Sequence, residues 1–287
     1  MKKITSKEYH ENFRCNRENI FDSASYLSKS AISEFADSSP FIWRYYPKRY
    51  TTLSMAHGSL IDCLTTTPED FDKEYVISEF ADFKKKEARE WRDAQTKIVL
   101  KREQLEQAEI AVGMLLNKNK ITADIFKSSK KQVALICDKK KIQASGAEWC
   151  DVNLKGLVDL APVDGPCLVD LKTINDLSMS GIQRAIAKFN YHAQAGLYLT
   201  LWNIENPDDI RTNFKFIFQS SSFPYEVAVV ELSAIEINLG KDYIKNNLLM
   251  MQDLAKNNEW PMLFGSKVPV VSRPEWAVRQ EEQRYND

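Results

Sequence analysis

The chain lacks the marks of a secreted, metal-stapled or membrane-embedded protein. Its five cysteines, Cys15, Cys63, Cys137, Cys150 and Cys167, are odd in number and include no close CxxC pair. That argues against a disulfide framework and a zinc site, and leaves them as small buried apolar residues. No apolar run approaches the roughly 18 residues of a membrane-crossing helix. Met1-Lys2-Lys3-Ile4-Thr5 leads into polar sequence rather than the apolar region of a signal peptide. The expectation is a cytoplasmic protein without membrane association. Internal repeats, long linkers and low-complexity blocks are also missing, so one domain is the simplest partition: a loosely held arm over 1–24, a domain over 25–277 and a frayed tail over 278–287.

A strong net charge is lacking too. The formal value is −1, which does not advertise nucleic acid, but the distribution is uneven. From Phe83 to Lys141 there are 16 Lys/Arg against 8 Asp/Glu, including Lys84-Lys85-Lys86 and Lys139-Lys140-Lys141. Such an excess can track a phosphate backbone, or simply keep helix faces solvated. With 287 residues, 44% hydrophobic and 28% charged, the chain can bury a substantial core.

The informative stretch is Lys155-Gly156-Leu157-Val158-Asp159, followed by Cys167-Leu168-Val169-Asp170-Leu171-Lys172-Thr173. Pro162-Val163-Asp164-Gly165-Pro166 between them carries turn chemistry, so the two runs read as adjacent antiparallel strands. Side chains two apart share a face of a strand, which points Asp170 and Lys172 the same way and lets Asp159 join them from the neighbour. Taken alone, Asp-x-Lys is usually a solvated edge-strand pair. Converging carboxylates, however, repel unless a cation lies between them, and hard oxygen donors beside a lysine suit Mg²⁺ or Mn²⁺.

The remaining chain reads as helices and strands around this pair. Tyr26–Ala36 has helical spacing with Ser28 or Ser30 as cap, and 53–65 forms a second helix stopped before Pro68. Residues 78–116 read as one long amphipathic helix, and Ala123–Ser128 as a short one. Gln132–Cys137 and Ala144–Leu154 have strand character, giving two hairpins, with Glu148 on a strand beside the site. Ile174–Ala187 reads as a polar, mobile entry segment. Phe189–Trp202 is a helix in which Tyr191, Gln194 and Tyr198 share one face. Phe214–Gln219 and Tyr225–Leu232 form a hairpin, and Ser233 caps a helix to about Asn257.

The Lys-Gly-x-x-Asp run followed by apolar-Asp-apolar-Lys-Thr resembles the core motif of the PD-(D/E)XK nucleases in their RecB-like branch. Tyr191-His192-Ala193-Gln194-Ala195-Gly196-Leu197-Tyr198 resembles the Gln-x-x-x-Tyr motif that follows it, and Ser28-Lys29-Ser30 with Ser39-Pro40 resembles the entry motif. Met55-Ala56-His57-Gly58-Ser59-Leu60-Ile61-Asp62 is similar to a RecE-type segment, with a departure: Asp62 stands where the family commonly has histidine, and His57 precedes the glycine. The resemblance runs from about Ser28 to Trp276 and is nearest to RecE-like exodeoxyribonucleases.

It implies an α/β (α+β) fold, a central mixed β-sheet flanked by helices with a restriction-endonuclease-like core. It also implies a Mg²⁺-dependent DNA exonuclease, with Mn²⁺ able to substitute. Asp159, Asp170 and the carbonyl of Leu171 would hold the metal; Asp62 reads either as a third acid ligand or as a solvated helix residue. Lys172 would position or deprotonate the attacking water, with Gln194 and Tyr198 in support. The implied partners are double-stranded DNA ends, a single-strand annealing protein and further copies of the chain in a ring. No cysteine follows Cys167, so no iron–sulfur cluster is expected. Two other readings stay open: a restriction- or repair-type endonuclease, and a non-catalytic DNA-end-binding protein.

Overall fold

The computed structural model describes residue 4 and residues 6–47 and 53–286. In chain order the first elements are α1 (Ser6–Asn12), β1 (Tyr26–Ser28), α2 (Lys29–Ala36), α3 (Pro40–Tyr45), α4 (Leu53–Thr66), α5 (Phe71–Glu74), β2 (Tyr75–Ile77), α6 (Lys86–Asp93), β3 (Ile98–Leu100) and α7 (Arg102–Gly113). There follow α8 (Lys120–Ser128), β4 (Ser129–Cys137), α9 (Lys139–Ala144), β5 (Asn153–Pro162), β6 (Cys167–Ile174), α10 (Met179–Lys188), α11 (Tyr191–Glu205), β7 (Asn213–Ser220), β8 (Val227–Glu231), α12 (Ala234–Asn257) and α13 (Glu275–Asn286).

β5 organises the sheet. One edge pairs antiparallel with β4, from Ser129 opposite Pro162 to Cys137 opposite Leu154. The other edge is shared: Asn153–Lys155 pair in parallel with β1, and Leu160 pairs antiparallel with Val169 of β6. Among the described residues, positions 156–159 have no ladder partner on that edge, so the sheet forks there. β6 runs parallel to β7, and β7 antiparallel to β8. The result is a mixed six-stranded sheet with helices on both faces.

Two cores flank it. Against one face lie α2, α11 and α12, with Leu197, Leu201, Phe214, Phe216, Phe218 and Leu248 at its centre. The three phenylalanines alternate along β7, so they line one face, with ring centroids 4.9 and 5.6 Å apart. Each fully buried ring contributes about 1.5–3 kcal/mol relative to exposure. α11 is buried along most of its length because it is central, and α12 crosses it at Gly240, where a Cβ would clash with the His192 carbonyl oxygen. The other core holds Leu60, Ile61, Ala108, Leu115, Leu171 and Ile217 under α4 and α7.

Several sequence expectations give way. The long helix over 78–116 is broken into α6, β3 and α7, because Ile98–Leu100 pairs in parallel with Tyr75–Ile77 in a separate two-stranded sheet. Ala144–Leu154 is not a strand: α9 ends at Ala144, a turn follows, and Glu148 is exposed there rather than beside the site. β4, β5 and β6 therefore form one antiparallel run, not two separate hairpins. Tyr26–Ser28 is strand, and Ser28 caps the helix behind it by accepting from the Ala31 N–H. Ile174–Ala187 carries α10, with Ile182 and Ala185 buried. The expected tail is the exposed helix α13.

The expected arm is also partly packed: Tyr9 and Ile20 are buried, at 5% and 1% exposure, while its residues 1–3 and 5 lie outside the described residues. Helix α12 begins behind Ser233 as the capping pattern predicts, its side chain accepting from Glu236 N–H. Among the described residues no helix is long and apolar enough to cross a membrane. The five cysteines are free, and Cys63, Cys137 and Cys150 are buried.

Candidate active site

Asp159 lies at the fork. The β5–β6 ladder stops at Leu160 opposite Val169, and Asp159, the next residue back, reaches β6 through its side chain beside Asp170. Val158 packs in the α11-side core, yet Leu160, two residues on, packs in the α4-side core, although residues two apart in a regular strand share a face. β5 therefore turns over at Asp159. Across from it Gln132 has φ +50° and drops out of the ladder, which marks the same distortion on β4. With its strand edge open, Asp159 uses its carboxylate to accept the Leu171 N–H at 3.0 Å.

Asp170 is sealed, at 1% exposure. Gln194 of α11 donates to its Oδ1, and the Lys172 ammonium faces its Oδ2 in an ion pair. That Oδ2 accepts no hydrogen bond of ordinary geometry. Burial works against the charge of Lys172, but Asp170 and Asp159 outweigh it and hold the ammonium above the usual lysine range. Tyr198, one turn beyond Gln194, lies across Gly156; a Cβ there would meet its ring at 3.0 Å. The glycine of the Lys-Gly-x-x-Asp run is thus the seat of the tyrosine, which braces β5 against α11.

The third acid comes from the opposite layer. Gly58 seats α4 on β6, facing the Thr173 hydroxyl at 3.4 Å from an ideal Cβ. One turn later Asp62 takes Gln132 Nε2 at 3.0 and 3.2 Å and the Thr66 hydroxyl at 3.4 Å. Burial, and then the charge of Asp170, push Asp62 up to about 6. Burial, followed by Asp170 and Asp62, pushes Asp159 well above the usual carboxylate range, against the opposing pull of Lys172 and the Leu171 N–H. The three acids thus share a region whose negative charge only partly finds a counter-charge.

Hard oxygens from Asp62, Asp159, Asp170 and the Leu171 carbonyl suit a small divalent cation better than zinc. The raised carboxyls of Asp62 and Asp159, both pushed up by burial and by the charge of Asp170, fit the same ion. Among the described residues, no three His, Cys, Asp or Glu side chains are gathered into a ready-made ligand cluster; the like-charged acids stand apart, with Asp170 held by Gln194 and Lys172.

His57 does not join them. Five residues from Asp62, it points elsewhere on the helix and lines a cleft with Gln104, Gln107, Asn175 and Ser221. The basic 83–141 stretch is divided among α6, α7, α8, β4 and α9 rather than forming one run. Two contributors escaped the sequence reading. Gln132 gives no sequence signal, since its role depends on a positive φ. Lys29 stands inside the Ser-Lys-Ser entry motif and could have been noticed there; its ammonium lies 5.7 Å from the Tyr191 ring centroid, and that of Lys172 lies 5.3 Å from the same ring.

A family model described as PDDEXK-like domain of unknown function (DUF3799) matches residues 30–267. The chain belongs to this PDDEXK-like family. The match spans the site from Asp62 to Tyr198 and begins one residue after Lys29. The PDDEXK-like chain also resembles the crystal structure of a Eubacterium rectale protein named "Putative exonuclease", with a TM-score of 0.62 and 14% identity over 97% of this chain and 98% of that one. At that identity the likeness is one of fold. No curated protein matches the chain.

Proposed function

We propose that this PDDEXK-like protein is a metal-dependent nuclease that hydrolyses phosphodiester bonds at duplex DNA ends. The observation that carries the reading is that Asp159, at the sheet's fork, accepts the N–H of Leu171 next to Asp170, with Lys172 and Gln194 on Asp170 and Asp62 approaching from α4.

Asp62, Asp159, Asp170 and the Leu171 carbonyl would hold Mg²⁺, or Mn²⁺ in its place. Such an ion, when bound, polarises the phosphate and lowers the pKa of a coordinated water. Gln194 fixes Asp170 through Oδ1, and Lys172 pairs with its Oδ2. Lys172, paired with Asp170, keeps its proton, so in this arrangement it acts as a donor that orients the water or a phosphate oxygen rather than as a base. Tyr198 keeps β5 and α11 in register and does not need to touch substrate.

Exonuclease action with 5′-to-3′ polarity, a ring of subunits, a single-strand annealing partner and a cytoplasmic setting in a bacterial or phage-infected cell rest on the RecE-like resemblance of the motifs and complete the proposal. The test is hydrolysis of linear and closed-circular duplex DNA in Mg²⁺, in Mn²⁺ and in EDTA. Digestion of the linear form alone, dependent on the ion, is the expected result. Nicking or linearising of circles would assign an endonuclease instead. DNA binding without hydrolysis in either metal would assign a non-catalytic end-binding protein.

A further inference from the structure

Lys29 is placed at a cost on three counts. It is the first residue of α2, where the positive end of the helix dipole disfavours a cation. Its half-exposed ammonium donates to the Phe189 carbonyl oxygen at 2.5 Å, and among the described residues no carboxylate makes an ion pair with it. It also lies near a second ammonium, Lys172, beside the ring of Tyr191. Burial and the charge of Lys172 accordingly lower it to about 8, against weaker support from Asp170 and Asp37. One hydrogen-bonded carbonyl satisfies one of three N–H groups and neutralises none of the charge.

We infer that Lys29 binds a backbone phosphate of the nucleic-acid strand lying across the site, on the Tyr191 side of Asp170. An anion there would remove all three costs at once, because it pairs the ammonium, screens it from Lys172 and suits the positive end of α2. Uncharged ligands would do none of these. The assignment rests on the nuclease reading for the identity of the strand, but its binding component can be measured without hydrolysis.

The test uses the full chain with Lys29→Met and Lys29→Arg. Equilibrium binding of a duplex with a recessed end is measured in EDTA over a range of salt, and initial rates are measured in Mg²⁺ and Mn²⁺. Lys29→Met should weaken binding by about tenfold and reduce the slope of log affinity against log salt by about one, the loss expected for one phosphate contact. Its KM should rise by more than its kcat falls, and Lys29→Arg should retain most of the affinity and the slope. Unchanged affinity and slope in Lys29→Met would overturn the assignment. So would a Lys29→Arg protein as impaired as Lys29→Met, or a wild-type chain with no affinity for DNA. Wild-type binding with the expected slope but no hydrolysis in either metal would retain Lys29 and remove the nuclease reading. Hydrolysis unaffected by Lys29→Met would do the reverse.

Discussion

The two layers that meet the sheet complete the site in opposite ways. From the α11 side, Asp170 receives an amide and an ammonium and is shut away from water. From the α4 side, Asp62 and Asp159 receive only neutral donors, one glutamine amide, one hydroxyl and one backbone N–H, and their carboxyls are pushed up by burial and then by the charge of Asp170. One half of the site is electrostatically closed and the other is left open. The packing differs in the same sense: α12 crosses α11 at a glycine with no room for a methyl group, whereas Gly58 of α4 meets β6 at ordinary contact distance. A rigid, satisfied side that holds one carboxylate, facing an unsatisfied side that presents two, is the arrangement of a site awaiting a cation.

The largest expected effect strikes the closed half. Asp170→Asn should lower hydrolysis of linear duplex at least about 10³-fold, because it removes the sealed carboxylate on which Lys172 and Gln194 converge. Affinity for DNA should change only a few-fold, as read by equilibrium binding in EDTA. Equal losses of turnover and binding would break the distinction between holding the ion and holding the strand.

Packing separates the sides next. Gly240→Ala forces a methyl group into the His192 backbone and should cost about 3 kcal/mol or more, at the upper end of overpacking penalties. The check is the urea midpoint at constant m-value. A Gly240→Ala protein as stable as wild type would show that α11 and α12 can slide apart.

Asp62→Asn probes the open half. Its folded pKa of about 6 lies above the unfolded value of 3.8, so the carboxyl's contribution to stability is present below about pH 3.8 and lost as pH rises through about 6. In EDTA at pH 8, Asp62→Asn should therefore be more stable than wild type, by about 1–2 kcal/mol once solvent screening is allowed for, and the difference should vanish near pH 4. Added Mg²⁺ should stabilise wild type more than the variant. A variant less stable than wild type at pH 8 in EDTA would mean that Asp62 is already compensated. The smallest effect belongs to Gly58→Ala, expected within about 0.5 kcal/mol of wild type because the helix-propensity gain offsets a tight but ordinary contact.

How much of this was legible in the sequence depended on whether local signals agreed. The β5–β6 pair was readable because alternation and a Pro-Val-Asp-Gly-Pro turn point the same way, and α12 because Ser233 stands before an amphipathic run. The region 78–116 misled because helix-favouring charges continue through Ile98–Leu100, whose strand is dictated by a partner more than 20 positions away. Ala144–Leu154 misled because Trp149, Cys150 and Val152 pack into the core from irregular backbone. The arm was underrated because Tyr9 and Ile20 are isolated apolar residues whose burial depends on tertiary contacts, including Lys155 donating to the Tyr9 carbonyl at 3.1 Å. Within the site, the acids and Lys172 were visible by type and spacing. The turnover of β5 at Asp159 was not, because a positive φ at a glutamine has no compositional marker.

The central claim is that Asp62, Asp159 and Asp170 converge on one divalent ion although they approach it from two layers. Anomalous diffraction from crystals of the protein soaked in Mn²⁺ tests it most directly. The account predicts a peak bounded by oxygens of those three carboxylates and the Leu171 carbonyl, with its occupancy falling sharply in Asp159→Asn. A peak elsewhere on the protein, or none at saturating Mn²⁺ with the crystals intact, would contradict it.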